Sequence, residues 1–354
     1  MNILITGGCG FVGSNLAIFL KNEIKNSKII VFDNLKRRGS ELNLSRLKNC
    51  DITYIHGDVR NDEDFESIGD LDIIIDASAE PSVLAGVQHG GLKQLININL
   101  NGTINIINLA LKRNAKLIFL STSRVYPITH INNISVIENN TRFDINSVQI
   151  LKGISTNGIS EEFPLDGYRS IYGATKFCSE LLINEYNQFL GLKSVINRCG
   201  VISGPYQMGK FDQGVTVLWL ARHFWKKELS YIGYGGYGKQ VRDVLHIDDL
   251  CELIKIQILN FEIFNGNYFN VGGGLNSSVS LLELTNLCQK ITGNKIFIKN
   301  IQEDRNADIK LYITDNTKIK NLCGWVPNKT PFNIVNDIFE WVHTNEKILS
   351  EILN

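Results

Sequence analysis

The sequence predicts an α/β protein whose centre is a doubly wound parallel sheet. Three observations predict it. The chain opens as strand, glycine turn, helix and strand between Met1 and Asn34. Short apolar runs then alternate with helical patterns as far as Asn197. Several of those runs, such as Ile73-Ile74-Ile75 and Leu117-Ile118-Phe119-Leu120, are continuous, as in strands buried on both faces.

The opening stretch is the most informative. Ile3-Leu4-Ile5 meets the turn Thr6-Gly7-Gly8-Cys9-Gly10. Phe11, Val12, Leu16, Ala17 and Leu20 then recur at helical spacing, and Ile29-Ile30-Val31-Phe32 ends at Asp33. Gly7 permits the turn out of the strand, Gly10 leaves the backbone open to a pyrophosphate, and Gly13 lets the helix pack closely. Free N–H groups and the positive dipole end at the helix start suit phosphates. Asp33, about 20 residues beyond Gly13, is placed to accept hydrogen bonds from adenosine ribose hydroxyls. The pattern is a Rossmann-type dinucleotide fingerprint spaced GxxGxxG, one residue longer between its first two glycines than GxGxxG. The structural alternative is a glycine turn without a ligand. Asn34 and the cluster Lys36-Arg37-Arg38 follow. The cluster suits either a solvated loop or a 2′-phosphate. A second anion beside Asp33 would be repelled, so the expected cofactor is NAD, with Arg37 near it.

Further along, Ile52 to Ile55 reads as a strand ending at Gly57-Asp58-Val59, and Asn61 as a helix N-cap. A long helix is expected over 92–113. Residues 127–168 lack periodicity and are either a substrate-side excursion or a surface insertion. A helix follows from Tyr172 to Phe189 and a strand from Lys193 to Asn197. The expectation continues with a loop over 200–209, a helix over 215–226, a strand at 231–233, a helix over 250–259 and a strand over 268–271. Ser280 and Glu283 form a capping box. Strands at 296–299 and 311–313 and a last helix over 331–349 complete the reading. A dinucleotide-binding domain is expected at 1–198 plus about 240–272. A smaller, discontinuous α+β substrate-binding lobe is expected at 199–239 and 273–354.

Bulk properties exclude several classes. The 354 residues carry 36 Lys plus Arg and 36 Asp plus Glu, so no global basic field exists to hold nucleic acid. No apolar run approaches the ~18 residues that a membrane span needs. Nothing at the N-terminus reads as a signal peptide. The seven cysteines form no CxxC pair, and the histidines show no HxxxH spacing. No metal site or disulfide framework is expected, and a reducing cytoplasm fits.

The chemistry is expected at Tyr172 and Lys176, four residues apart and therefore on one helical face. A neighbouring ammonium stabilises a phenolate, which equips Tyr172 to take a proton from a substrate hydroxyl. Thr122 or Ser123, after the strand ending at Leu120, supplies a hydroxyl donor.

Together these motifs resemble the NAD-dependent nucleotide-sugar epimerases and dehydratases of the extended short-chain dehydrogenase/reductase family, along almost the whole chain. The resemblance implies a cycle in which the sugar is oxidised to a ketone and the hydride is returned. In that family the catalytic hydroxyl lies four residues before the tyrosine of a Val-Tyr pair. Val125-Tyr126 is that pair, so Thr122 is favoured and Ser123 remains the alternative. The resemblance further implies that Asp58, Val59, Ala77, Ser78, Ala79 and Asn99 line the cofactor. It places Glu80, Arg124, Tyr231, Gln240, Arg242 and Arg305 at the substrate, the two later arginines on its diphosphate. Salt bridges to Asp243 or Asp308 are the structural alternative for those arginines. Segments 33–44, 211–214 and 239–246, with the long gap between Thr122 and Tyr172, most resemble enzymes acting at C2 of a CDP-hexose. A UDP-sugar 4-epimerase is the runner-up. A dehydratase, a reductase and a non-catalytic NAD-binding protein follow. The Asp-Glu pair that follows the catalytic Thr in dehydratases is here Ser123-Arg124. Pro127 and Cys199-Gly200 depart from the family pattern beside the sugar. The resemblance also implies a homodimer or homotetramer.

Overall fold

A computed structural model describes residues 1–83, 91–210, 213–305 and 308–353. Phe211 and Asp212, part of one segment that carried the resemblance, lie outside the described residues. The chain divides into two compact units. The first comprises Met1–Val125, Ile171–Arg198 and Leu250–Phe269. The second comprises Tyr126–Ser170, Cys199–Asp249 and Asn270–Asn354.

The first unit is built on the expected sheet. Its strands are β1 (Asn2–Thr6), β2 (Lys28–Asp33), β3 (Thr53–His56), β4 (Ile73–Asp76), β5 (Lys116–Thr122), β6 (Ser194–Cys199) and β7 (Asn267–Val271). Their order is β7-β6-β5-β4-β1-β2-β3. The β1–β2, β2–β3, β1–β4 and β4–β5 pairings are parallel, with Thr6 opposite both Phe32 and Asp76. The chain winds outward from β1 to β3, then returns to β4 on the other side of β1. That reversal opens a crevice at the carboxyl ends of β1 and β4, where such sheets bind ligands.

Helices α1 (Phe11–Glu23), α2 (Gly102–Lys112) and α3 (Ile171–Leu190) cover the sheet. One core cluster joins Leu4, Phe32, Ile74, Leu117 and Phe119 of the strands to Ile106 and Ile107 of α2 and Ile183 of α3. Phe32 stacks on Phe65 with centroids 4.6 Å apart. The expected helix over 92–113 is helical as far as Lys112, but Asn97–Asn101 form a π-turn between Leu92–Ile96 and α2. Asn61 makes no side-chain cap, because a 3₁₀ turn, not an α-helix, follows it over Asp62–Phe65.

In the second unit, Val241–His246 is the strand on which three others assemble. Val201–Ser203 and Leu311–Tyr312 pair with it in parallel, and Ser278–Ser280 antiparallel. Three of these strands depart from expectation, among them Ser278–Ser280, where only the capping box is expected. Val201–Ser203 lies inside the expected 200–209 loop, and Val241–His246 was read only as a motif, since Arg242, Asp243 and His246 break its apolar run. Leu229–Ile232 pairs with Ile298–Ile301. The Ser280–Glu283 capping box is present. The expected last helix is two, Pro331–Thr344 and Glu346–Leu353, divided at Asn345. The short helix Thr317–Cys323 had no counterpart in the sequence reading.

The aperiodic stretch 127–168 is structured. It holds helix Ile128–Asn132, hairpin Val136–Glu138/Phe143–Ile145 and hairpin Ile154–Ser155/Gly158–Ile159. Arg142 donates to Ser278 Oγ at 2.7 Å and pairs with Glu283, while Ser280 Oγ donates to Thr141 O at 2.7 Å. These bonds explain why 126–170 groups with the second unit and not with the 1–198 domain expected. Residues 240–249 join it through the pairings of Val241–His246. No described helix is long and apolar enough to cross a membrane.

Phe65 is 3% exposed and fills the space against Phe32. Phe65→Ala is expected to cost about 3–5 kcal/mol in urea unfolding of the first unit, without altering α3.

Candidate active site

The glycine turn sits at the crevice. Gly7 has φ +64°, and a Cβ there would stand 2.7 Å from Ala77 O. A Cβ on Gly13 would stand 2.3 Å from Gly7 O, so only glycine lets α1 start this close to β1. Gly10 is different: an added Cβ would meet only Gly7 O at 3.1 Å, leaving its other side open. Phe11 and Val12 begin the helix there, both partly exposed. From behind, Asn43 Nδ2 donates to Cys9 O at 2.9 Å, and Arg46 donates to Asn43 Oδ1 at 2.7 Å.

Asp33 ends β2 beside this turn. Its Oδ2 accepts from Cys9 N at 3.0 Å and its Oδ1 from Leu35 N at 2.8 Å. Burial raises its pKa above the ordinary carboxylate value despite those amides. Burial, followed by the Asp33 charge, pushes the Cys9 thiol up to about 12. Asn34 donates to Asp58 Oδ2 at 2.8 Å, and Arg60 forks onto the same carboxylate at 2.8 and 2.6 Å. The Arg60 hydrogen bonds hold the Asp58 carboxyl well below the usual range. Val59 is buried and its carbonyl accepts from Asn105 at 3.0 Å. Arg37 lies on the loop after Asp33, its carbonyl accepting from Ser40 Oγ at 2.6 Å.

Across the crevice, β4 ends at Asp76, fully buried. Thr6 Oγ1, Ser78 Oγ and Thr103 Oγ1 donate to it at 2.8, 2.6 and 3.3 Å. The turn Ala77-Ser78-Ala79-Glu80 follows. Asn99, in the π-turn, is also fully buried. Its Oδ1 accepts from Glu80 N at 2.8 Å and its Nδ2 donates to Glu80 O at 3.0 Å. Nδ2 also reaches Thr175 Oγ1 at 3.4 Å, so Asn99 braces the 77–80 turn against α3. A π-turn in a helix marks functional sites often enough to fit this position.

The catalytic candidates converge at the start of α3. Gly173 rests on the turn Ser123–Val125: a Cβ there would stand 2.1 Å from Arg124 O. This backbone contact brings Tyr172 beside the segment carrying Thr122, Ser123 and Arg124. Thr122 ends β5, 8% exposed, and its Oγ1 accepts from Arg124 N at 3.2 Å, leaving the hydroxyl proton to be donated elsewhere. Ser123 is half-buried one residue on. Tyr172 is 8% exposed and Lys176 2%. The Lys176 ammonium lies 4.0 Å from the centroid of Phe119 on β5, a cation–π contact.

The remaining substrate candidates belong to the second unit. Tyr231 is buried, stacked on Trp219, and its hydroxyl donates to Thr285 Oγ1 at 2.7 Å. Gln240 Nε2 donates to Ile232 O at 2.8 Å. Arg242 pairs with Asp308 at 3.0 Å and donates to Ile309 O at 2.7 Å, the salt bridge weighed as its structural alternative. Asp243 is fully buried, its carboxyl raised by burial and accepting from Gly274 N at 3.0 Å. Arg305 is exposed.

The pattern of the NAD dependent epimerase/dehydratase family matches residues 3–272, which span the fingerprint, β4, the hydroxyl turn and α3. The chain belongs to that family. It is therefore an enzyme of an NAD-dependent family, and NAD is its cofactor. It is 30% identical to the CDP-paratose 2-epimerase of Salmonella typhi over 350 residues, 96% of this chain and 99% of that one. It is 24% identical to a dTDP-glucose 4,6-dehydratase of Mycolicibacterium smegmatis, over 98% and 94% of the two chains. Its fold matches the UDP-glucose 4-epimerase of Thermotoga maritima with TM-score 0.77 at 24% identity, covering 98% and 100%. It matches the dTDP-glucose 4,6-dehydratase of Bacillus anthracis with TM-score 0.76 at 24% identity, covering 98% of each.

The first unit fits the cofactor. Gly10 offers an open backbone face at a helix start, and Asp33 keeps lone pairs beyond those its two amide donors use.

Sequence reasoning assigned no individual role to Asn43, Gly173, Ser121, Glu180 and Arg198, although Asn43 lies within segment 33–44 and Ser121 directly precedes Thr122. Glu180 was within reach, since Tyr172, Lys176 and Glu180 continue one stripe at four-residue spacing. The other four act through tertiary contacts.

Gly173→Ala is expected to keep NAD binding but to lower kcat about 100-fold, because the helix start must move away from Arg124 O. Steady-state kinetics with a thermal melt tests it. NAD affinity is expected to fall on acidification as Asp33 protonates, starting at a higher pH than an ordinary carboxylate would give. Calorimetric titrations across pH check this, and Asp33→Asn should flatten the dependence.

Proposed function

We propose that this chain inverts C2 of a CDP-linked hexose through a transient 2-keto sugar. The observation that carries the reading is the turn after β5. Thr122 stands beside the start of α3, and the next two residues are Ser123 and Arg124. An elimination needs an added acid and base there, and neither residue is a carboxyl group. The similarity to the Salmonella typhi enzyme along nearly the whole of both chains supports the CDP-sugar and the C2 position.

Bound NAD supplies a hydride acceptor and donor. Tyr172 takes the proton of the sugar hydroxyl, and Lys176, one turn on, stabilises the phenolate that it uses. The Thr122 hydroxyl donates to the reacting oxygen. Asn99 fixes the 77–80 turn that closes the other side of the crevice. In the second unit Arg242 binds the diphosphate, its guanidinium exchanging Asp308 for phosphate oxygens. Arg305, exposed, adds a second cation. The keto sugar would turn over while its nucleotide stays held, so that its opposite face would be presented for reduction.

The test is incubation with a panel of CDP- and UDP-hexoses, reading C2 and C4 stereochemistry by NMR in deuterated water. Inversion at C2 of a CDP-sugar without deuterium there is the expected result. Inversion at C4 of a UDP-sugar, or loss of water from the sugar, would replace the reading. Tyr172→Phe is expected to lower kcat by about 10²–10⁴-fold.

A further inference from the structure

Behind the catalytic stripe of α3 lies a buried ion pair. Glu180 and Arg198 have side chains 1% and 3% exposed. Arg198 Nε reaches the Glu180 oxygens at 3.2 and 3.0 Å, and its terminal nitrogen reaches Oε2 at 2.7 Å. Arg198 ends at the ring of Tyr268 on β7, 4.4 Å from the centroid. Glu180 also accepts from Ser121 Oγ, the residue before Thr122. One carboxylate on α3 is thereby bonded to β5 immediately before the catalytic hydroxyl and to β6 through Arg198. It stands one helical turn beyond Lys176 and two beyond Tyr172.

Such a pair is costly to bury. Desolvation takes back much of the Coulombic gain, and apolar residues of similar volume often serve stability as well. Its position suggests a different use. Other charges on the elements against α3 are Lys93 before the π-turn, Lys112 on α2, Lys116 at the far end of β5 and Arg124 in the turn. Asp76 and Glu80 close the neighbouring strand, and Glu185 lies farther along α3.

We propose that Glu180 is a positioning residue for the Tyr172–Lys176 pair. It fixes the register of α3 against Ser121 and Thr122, and it cancels the Arg198 charge, so that Lys176 sets the acidity of Tyr172. The inference rests on Tyr172 being the proton acceptor.

The test is the near-ultraviolet phenolate titration of the NAD-loaded protein, taken as the difference from NAD-loaded Tyr172→Phe. Glu180→Gln keeps the shape and leaves Arg198 as an uncancelled cation. The midpoint is expected to move to lower pH by roughly one unit. Glu180→Gln with Arg198→Met removes both charges and should return it to the wild-type position. Should Glu180→Gln not fold, Glu180→Gln with Arg198→Lys carries the same excess charge and the same expected direction. Ser121→Ala should leave the midpoint in place and lower kcat at unchanged KM. A midpoint unmoved by the excess cation, or one that the neutral pair fails to restore, overturns the proposal. Full activity in Tyr172→Phe would instead remove the functional reading on which it rests.

Discussion

Helix α3 can begin against the turn after β5 only because residue 173 has no side chain. A Cβ there would stand 2.1 Å from the Arg124 carbonyl oxygen. From that backbone contact the placing of the candidate residues follows. Tyr172 precedes Gly173 directly, Lys176 comes one turn later and lies over Phe119, and Glu180 comes one turn after that. The hydroxyl turn and the helix are therefore held as one object, through packing at one end and the Ser121–Glu180 hydrogen bond at the other. A proton transfer depends on distances of this kind being set before substrate arrives.

Three polar side chains around the crevice, Asp76 and Asn99 buried and Asp33 half-buried, are held by hydrogen bonds. Asp76 takes three hydroxyls, Asn99 spends both ends of its amide on the Glu80 backbone, and Asp33 takes two amides. Unsatisfied groups here would each cost about 1–3 kcal/mol. Bonded as they are, they hold three loops at the carboxyl ends of β1, β2 and β4, as that ligand position requires. Asn43 does the same for the glycine turn from behind.

In the second unit the same economy appears around the 127–168 stretch. Asn132 grips the backbone on both sides of Ile309, accepting from Lys310 N and donating to Asp308 O, each at 3.1 Å. Asp308 in turn holds Arg242. Arg142 and Thr141 tie a hairpin to the capping box of the helix that starts at Leu281. The stretch showed no periodicity because its elements are two to five residues long, too short for a repeat to register.

The sequence by itself determined the sheet strands of the first unit and the fingerprint. These are encoded locally, in continuous apolar runs, in glycines that a turn or close approach demands, and in the four-residue spacing of Tyr172 and Lys176. It also favoured Thr122 over Ser123, though only through a family pattern. What the tertiary structure decided is how distant segments share side chains. Glu180 and Arg198 are 18 positions apart, Asn99 and Thr175 are 76 apart, and Arg142 and Ser278 are 136 apart. No local periodicity records such pairs, because each residue alone reads as an ordinary polar position. Only the packed chain brings the two halves of each hydrogen bond together and excludes the water that would otherwise take their place.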